Sequence, residues 1–166
     1  IGQSLIKRCL GFEMKVFVYD PFISKDVIEN LGGIKVDSME DACKTMDAVS
    51  LHIPLNDKTK NIINYDLLKT MKNNCIIINA ARGGIVNEVD LDKALNEGLI
   101  FGAGLDVFET EPPEPNNPLL KNDKVFLSPH TAAFTEECMT RMGKETVQNI
   151  IDFFDEKLEK SKIVKL

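Results

Sequence analysis

Six short apolar runs, separated by segments of helical periodicity, constrain this chain more than any other feature. They are Lys15 to Tyr19, Ile34 to Val36, Ala48 to Leu51, Cys75 to Ile78, Phe101 to Leu105 and Val125 to Leu127. Runs of this length alternating with helices predict crossover units and a mostly parallel sheet. Their apolar residues fall at both parities, as in strands covered by helices on both faces. Three of the runs lead straight into polar motifs: Asn79-Ala80-Ala81-Arg82-Gly83-Gly84, Asp106-Val107-Phe108-Glu109-Thr110-Glu111-Pro112 and Ser128-Pro129-His130-Thr131-Ala132-Ala133. In an open α/β sheet, ligands bind at the carboxyl ends of the strands. An arginine, a glutamate and a histidine are therefore expected at one sheet edge.

The intervening segments carry their own punctuation. A helix from Gly2 to Leu10 is expected to stop at Gly11 as a C′ glycine. Lys25 to Leu31 is closed by Gly32-Gly33, and Ser38 caps a helix reaching about Thr45 with acids in its first turn. Tyr65 to Met71 and Glu88 to Glu97 follow, the latter capped by Asn87 and stopped at Gly98. Thr135 to about Leu158 reads as one long amphipathic helix. Its Met139, Met142, Val147, Ile150, Ile151 and Phe154 recur at helical spacing, as a core-packing stripe would. Pro112 to Pro118 reads as a rigid loop beside the site.

Composition narrows the function. A chain of 166 residues with 43% hydrophobic content supports one domain with an adequate core. The net charge of −6 and scattered basic residues disfavour nucleic acid. No apolar stretch approaches the roughly 18 residues of a membrane span. Cys9, Cys43, Cys75 and Cys138 lack metal or redox spacing and read as buried free thiols of a reducing cytosol. No metal site is expected, and the localisation expected is cytoplasmic.

Each candidate site residue has a functional and a plain reading. Ile1-Gly2 stands where the last glycine of a dinucleotide fingerprint would open a helix, and Asp20-Pro21 follows the next strand. The Asp20 carboxylate can accept both hydroxyls of an adenosine ribose and repel a 2′-phosphate, which favours NAD over NADP; it can equally end a strand or cap a helix. Arg82 can grip a carboxylate with two parallel donors, or form a salt bridge on its loop. His130 can protonate a developing alkoxide with Glu111 as its partner, or be a loop residue after Ser-Pro. Asp106 can meet a nicotinamide carboxamide, or brace its loop. His52, with Ile53 and Pro54, can line the cofactor ribose, or simply turn the chain.

In order along nearly the whole chain, these motifs resemble the NAD-binding domain of the D-isomer-specific 2-hydroxyacid dehydrogenases, particularly the phosphoglycerate dehydrogenase-like branch. They run from Gly2 and Tyr19-Asp20-Pro21 through Leu51-His52-Ile53-Pro54-Leu55, Asn79 to Gly84, Gly104 to Phe108 with Glu111-Pro112, and Ser128-Pro129-His130. The resemblance implies an α/β, Rossmann-like, doubly wound parallel sheet, truncated at the N-terminus and lacking most of the substrate domain. It implies residues 1–158 as the NAD domain, without its first strand and early glycines, and 159–166 as a tail returning toward the absent domain. It implies Arg82 as the substrate-carboxylate arginine, His130 as the acid/base and Glu111 as its partner. Ile1, Gly2, Asp20, Pro21, His52, Ile53, Pro54, Ala80, Ala81, Arg82, Asp106, His130, Ala132 and Ala133 would surround NAD. The implied partners are a small 2-oxo or 2-hydroxy acid and a second subunit, in a homodimer formed through this domain. Because the substrate domain closes over the cleft, the segment alone is expected to fold poorly or bind NAD weakly, and to turn over little. A glutamate at 111, where a glutamine is expected in the formate dehydrogenase branch, disfavours that branch. An NADH-sensing co-repressor of the same family is the alternative from another functional class; alanine dehydrogenase fits the order of motifs poorly.

Overall fold

The computed structural model describes residues 1–163; Val164 to Leu166, the end of the expected tail, lie outside the described residues. The chain forms two compact units, Ile1–Pro129 and His130–Leu166, and the boundary falls inside the span read as one domain from sequence. In the first unit the order is α1 (Gly2–Gly11), β1 (Phe17–Val18), α2 (Lys25–Asn30), β2 (Ile34–Lys35), α3 (Met39–Cys43) and β3 (Ala48–Leu51). It continues with α4 (Tyr65–Leu68), β4 (Ile76–Asn79), α5 (Glu88–Asn96), β5 (Gly102–Leu105), a 3₁₀ turn at Pro118–Lys121 and β6 (Val125–Leu127). The second unit holds α6 (Glu136–Phe154) and a 3₁₀ turn at Lys160–Lys162.

All six predicted strands are present and every pairing is parallel, but the described strands divide into two sheets, β1-β2 and β3-β4-β5-β6. The four-stranded sheet advances in one direction. Right-handed crossovers must then place α4 and α5 on the same face. That face carries Leu51, Ile77, Ala103 and Leu105, which pack with Leu67, Leu68, Leu91, Ala94 and Leu95 in one buried cluster. The other face is not covered as expected: in the row Ser50–Ile78–Gly104–Phe126, Phe126 is 79% exposed.

Most caps lie where the sequence puts them. Ser38, Asn87 and Thr135 accept backbone N–H groups of the first turns of α3, α5 and α6. Gly32 and Gly98 take the left-handed conformation after α2 and α5. Gly11 does not: it stays helical, and Glu13 takes φ 60° instead. The chain therefore turns out of α1 two residues later than a C′ glycine would require. Strand β1 pairs only two residues of the expected five-residue run. Helix α6 ends at Phe154, and none of its residues is buried, so its Met and Phe stripe is not core within this chain. Cys43 and Cys75 are buried free thiols as expected, whereas Cys9 and Cys138 are half-buried.

Candidate functional site

The carboxyl edge of the four-stranded sheet follows from its register. Leu51, Asn79, Leu105 and Leu127 form the last paired row, so His52, Ala80, Asp106 and Ser128 leave the sheet side by side. Parallel strands deliver the starts of consecutive motifs to one edge in this way.

The Arg82 turn is built by Asn79, a buried polar side chain at the end of β4. Its Oδ1 accepts the Ala81 N–H at 3.0 Å and its Nδ2 donates to the Arg82 carbonyl at 2.9 Å. The Asn79 carbonyl also accepts the Asp106 N–H at 2.9 Å, fastening this turn to the end of β5. Gly83 then passes against the Phe108 carbonyl so closely that a Cβ there would lie 1.7 Å from that oxygen. Only glycine fits. The turn leaves the Arg82 guanidinium exposed, with Nη1 donating to the Ala81 carbonyl at 2.6 Å and no ion pair among the described residues. The salt-bridge reading of Arg82 therefore loses its support, and most of the guanidinium's five donors are available to a ligand.

Glu111 sits on the adjoining loop. One carboxylate oxygen accepts the Phe108 N–H at 3.0 Å, and the Glu111-Pro112 bond is cis. The loop is fastened beyond its own residues: Glu88, in the first turn of α5, accepts the Glu109 N–H at 2.6 Å and the Asn117 amide at 2.5 Å. Asp106 is buried and accepts the Ser128 hydroxyl at 2.6 Å, tying the ends of β5 and β6 together. That bond favours the bracing role for Asp106. From Ser128-Pro129 the chain enters the second unit at His130, which adopts φ 55°, uncommon for a residue with a side chain. Ala132 and Ala133 follow in the turn that leads to the Thr135 cap, where the Thr135 N–H donates to the Ala133 carbonyl at 3.0 Å.

The remaining positions gather around the start of α1 and the end of β1. A Cβ at Gly2 would stand 3.5 Å from His52 Cβ, so the first turn of α1 and the His52 side chain are neighbours. The His52 ring shares a hydrogen bond of 3.0 Å with Ser50, and partial burial pulls its pKa below the usual histidine value. Ile53 is half-buried beside the core cluster, and Pro54 uses its carbonyl to accept the Thr59 hydroxyl at 2.6 Å. Asp20 turns the chain out of β1: Oδ1 accepts the N–H groups of Phe22 and Ile23 at 2.8 and 3.2 Å. Pro21, between Asp20 and Phe22, is exposed. Oδ2 of Asp20 takes no hydrogen bond from the described residues. One oxygen sets the loop and the other takes no part in it. A helix N-terminus at Gly2, an acid with one open oxygen at Asp20 and an exposed Ala80 backbone after β4 suit a dinucleotide. Among the described residues no His, Cys, Asp or Glu cluster is arranged for a metal, and no helix is long and apolar enough to cross a membrane.

Sequence reasoning missed Asn79 and Glu88. Asn79 carried a signal, a lone amide closing an Ile-Ile-Ile run before two alanines. Glu88 carried none, because an acid in a helix's first turn is explained by the helix dipole alone.

Residues 1–132 match the family described as D-isomer specific 2-hydroxyacid dehydrogenase, NAD binding domain. The D-3-phosphoglycerate dehydrogenase of Methanocaldococcus jannaschii is 45% identical over 150 residues, covering 90% of this chain and 28% of that protein. The glyoxylate reductase of Korarchaeum cryptofilum is 40% identical, over 92% of this chain and 46% of that protein. Among solved structures, the D-lactate dehydrogenase of Aquifex aeolicus complexed with NAD and lactic acid superposes with a TM-score of 0.83 at 31% identity. That superposition covers 95% of this chain and 51% of the other. The chain thus spans about half, or less, of the length of these relatives. With the parallel sheet and the edge described above, the match places the chain in the D-isomer-specific 2-hydroxyacid dehydrogenase family, as its NAD-binding domain.

Proposed function

We propose that this domain serves reversible hydride transfer between NAD(H) and a D-2-hydroxy acid/2-oxo acid pair. The observation that carries the reading is the exposed Arg82 guanidinium, set on a turn pinned by Asn79 and Gly83. A planar fork of donors that spends one N–H on the Ala81 carbonyl and forms no ion pair among the described residues suits a carboxylate, and binding it bidentately fixes the plane of the adjoining carbonyl. Asp20 Oδ2 would take the ribose hydroxyls, and the α1 N-terminus would face the pyrophosphate. Ile1, His52, Ile53, Pro54, Ala80, Ala81, Ala132 and Ala133 would line the remainder, with Asp106 near the carboxamide. NADH held by these residues would supply the hydride for the carbonyl carbon. His130 gives a proton to the carbonyl oxygen, and Glu111 steadies the imidazolium form and its orientation. In the oxidation direction His130 takes that proton back.

The reading is tested by following NADH oxidation by the full-length protein against a panel of small 2-oxo acids, with Arg82→Ala alongside. Turnover of one acid that falls about a hundredfold or more in the variant supports it. Tight NADH binding without turnover of any acid would overturn it in favour of an NADH-sensing role.

A further inference from the structure

The loop that carries Glu111 is clamped from outside. Glu88 accepts the Glu109 N–H with one oxygen and the Asn117 Nδ2 with the other, and these two contacts flank Glu111 on either side. The orientation of the Asn117 amide is fixed in turn, because its Oδ1 accepts the Leu119 N–H at 3.0 Å. At the near end of the loop, Phe108 lies against Gly83, one residue after Arg82. Glu88 itself is held at the start of α5, whose Leu91, Ala94 and Leu95 are fully buried, so the clamp is anchored in the core. A carboxylate is required here. Both contacts are donors, and a carboxylate is the side chain that accepts with both of its terminal atoms.

We propose that Glu88 is a positioning residue of the reaction: it holds the Glu109–Asn117 loop so that Glu111 stands correctly beside the Arg82 turn. The proposal rests on the hydride-transfer reading above. Glu88 touches neither substrate nor cofactor in this assignment, and acts only through Glu111. A displacement of about 1 Å at a catalytic partner costs up to about a hundredfold in rate. Loss of one of the two contacts should therefore appear mainly in kcat.

The polarity of the clamp offers a test. In Glu88→Gln one terminal atom becomes a donor and confronts either the Glu109 N–H or the Asn117 amide. Asn117 cannot rotate to relieve this without turning its NH2 onto the Leu119 N–H. Asn117→Asp, added to Glu88→Gln, restores the contact with its direction reversed and keeps the Leu119 bond. Asn117→Asp alone sets two carboxylates against each other.

In the full-length protein, Glu88→Gln is expected to lower kcat about tenfold, with the KM for the 2-oxo acid and the NADH Kd changed less than about twofold. The double variant should recover to within about threefold of wild type, and Asn117→Asp alone should be at least as impaired as Glu88→Gln. Hydrogen exchange at the Glu109 amide should rise in both single variants and fall again in the double. An unchanged kcat in Glu88→Gln would overturn the proposal, as would a double variant no better than the worse single one. A wild-type protein that reduces no 2-oxo acid, while Glu109 exchange still follows the clamp, would overturn the reaction reading and with it the catalytic role of Glu88.

Discussion

The two units of this chain treat the same kind of residue in opposite ways. In the first, Ile63, Leu68, Ile77, Ile85, Leu91, Leu95 and Leu119 are wholly buried around one face of the four-stranded sheet. In the second, α6 carries an equally apolar stripe, yet Met139, Met142, Val147, Ile150 and Phe154 are 48% to 78% exposed. Helical spacing is alike in the two: Leu91, Ala94 and Leu95 of α5 recur as the α6 residues do. What separates them is burial. The first unit has α4 and α5 on the same face because its crossovers share one hand; none of the residues of α6 is buried. Functional precision follows burial: the turns bearing Arg82 and Glu111 are fastened by side chains from buried elements.

Gly83 is where one substitution would disturb the first unit most. A methyl group there meets the Phe108 carbonyl at 1.7 Å, with no flexible side chain to yield. Gly83→Ala should destabilise the protein by about 3 kcal/mol or more and misplace both loops, as read by denaturant unfolding. Stability near that of wild type would show that the two loops are not welded there. Leu91→Ala comes next: a fully buried Leu at the centre of the cluster should cost about 3 kcal/mol. Phe154→Ala, in contrast, should change the stability of this 166-residue chain by less than about 0.5 kcal/mol. A large loss at Phe154 would mean that the α6 stripe is buried in solution.

Thiol chemistry separates the buried core from half-buried positions more gently. Burial pushes Cys43 up to about 11 and raises Cys75 as well. Under native conditions iodoacetamide should label Cys9 and Cys138 well before Cys43 and Cys75, as measured by peptide mass spectrometry. Equal labelling would contradict the buried placement. The smallest effect is on pH dependence. An acid whose folded pKa is raised binds its proton more tightly when folded, so the contribution of Cys43 is complete below about pH 9. It is lost as pH rises from about 9 toward 11, because the unfolded chain ionises first. Cys43→Ala should flatten that decline in a urea-midpoint series.

Much of this architecture was legible in the residues. The six apolar runs became six parallel strands, and Ser38 and Asn87 capped the helices assigned to them. Local signals sufficed there, because caps and crossover units are written within a few residues. Pairing was less legible. Nothing in Val16-Phe17-Val18 tells that β1 would pair with β2 alone while four other strands form a second sheet. Gly11 shows the limit of punctuation: a glycine near a helix end invites a C′ assignment, but Glu13 took the left-handed position. At the edge, Arg82 and Glu111 stood out by chemical type. Asn79 and Glu88, which hold them, did not, because their partners lie across a turn or 21 to 29 residues away.

In the proposed reaction, Arg82 presents its guanidinium to a substrate carboxylate at this edge. The direct measurement is kcat/KM of the full-length protein and of Arg82→Ala for one 2-oxo acid and for its methyl ester. The account predicts that wild type prefers the acid by about a hundredfold or more, since the ester cannot accept the bidentate pair, and that the variant loses this preference. A preference that survives unchanged in Arg82→Ala would contradict it.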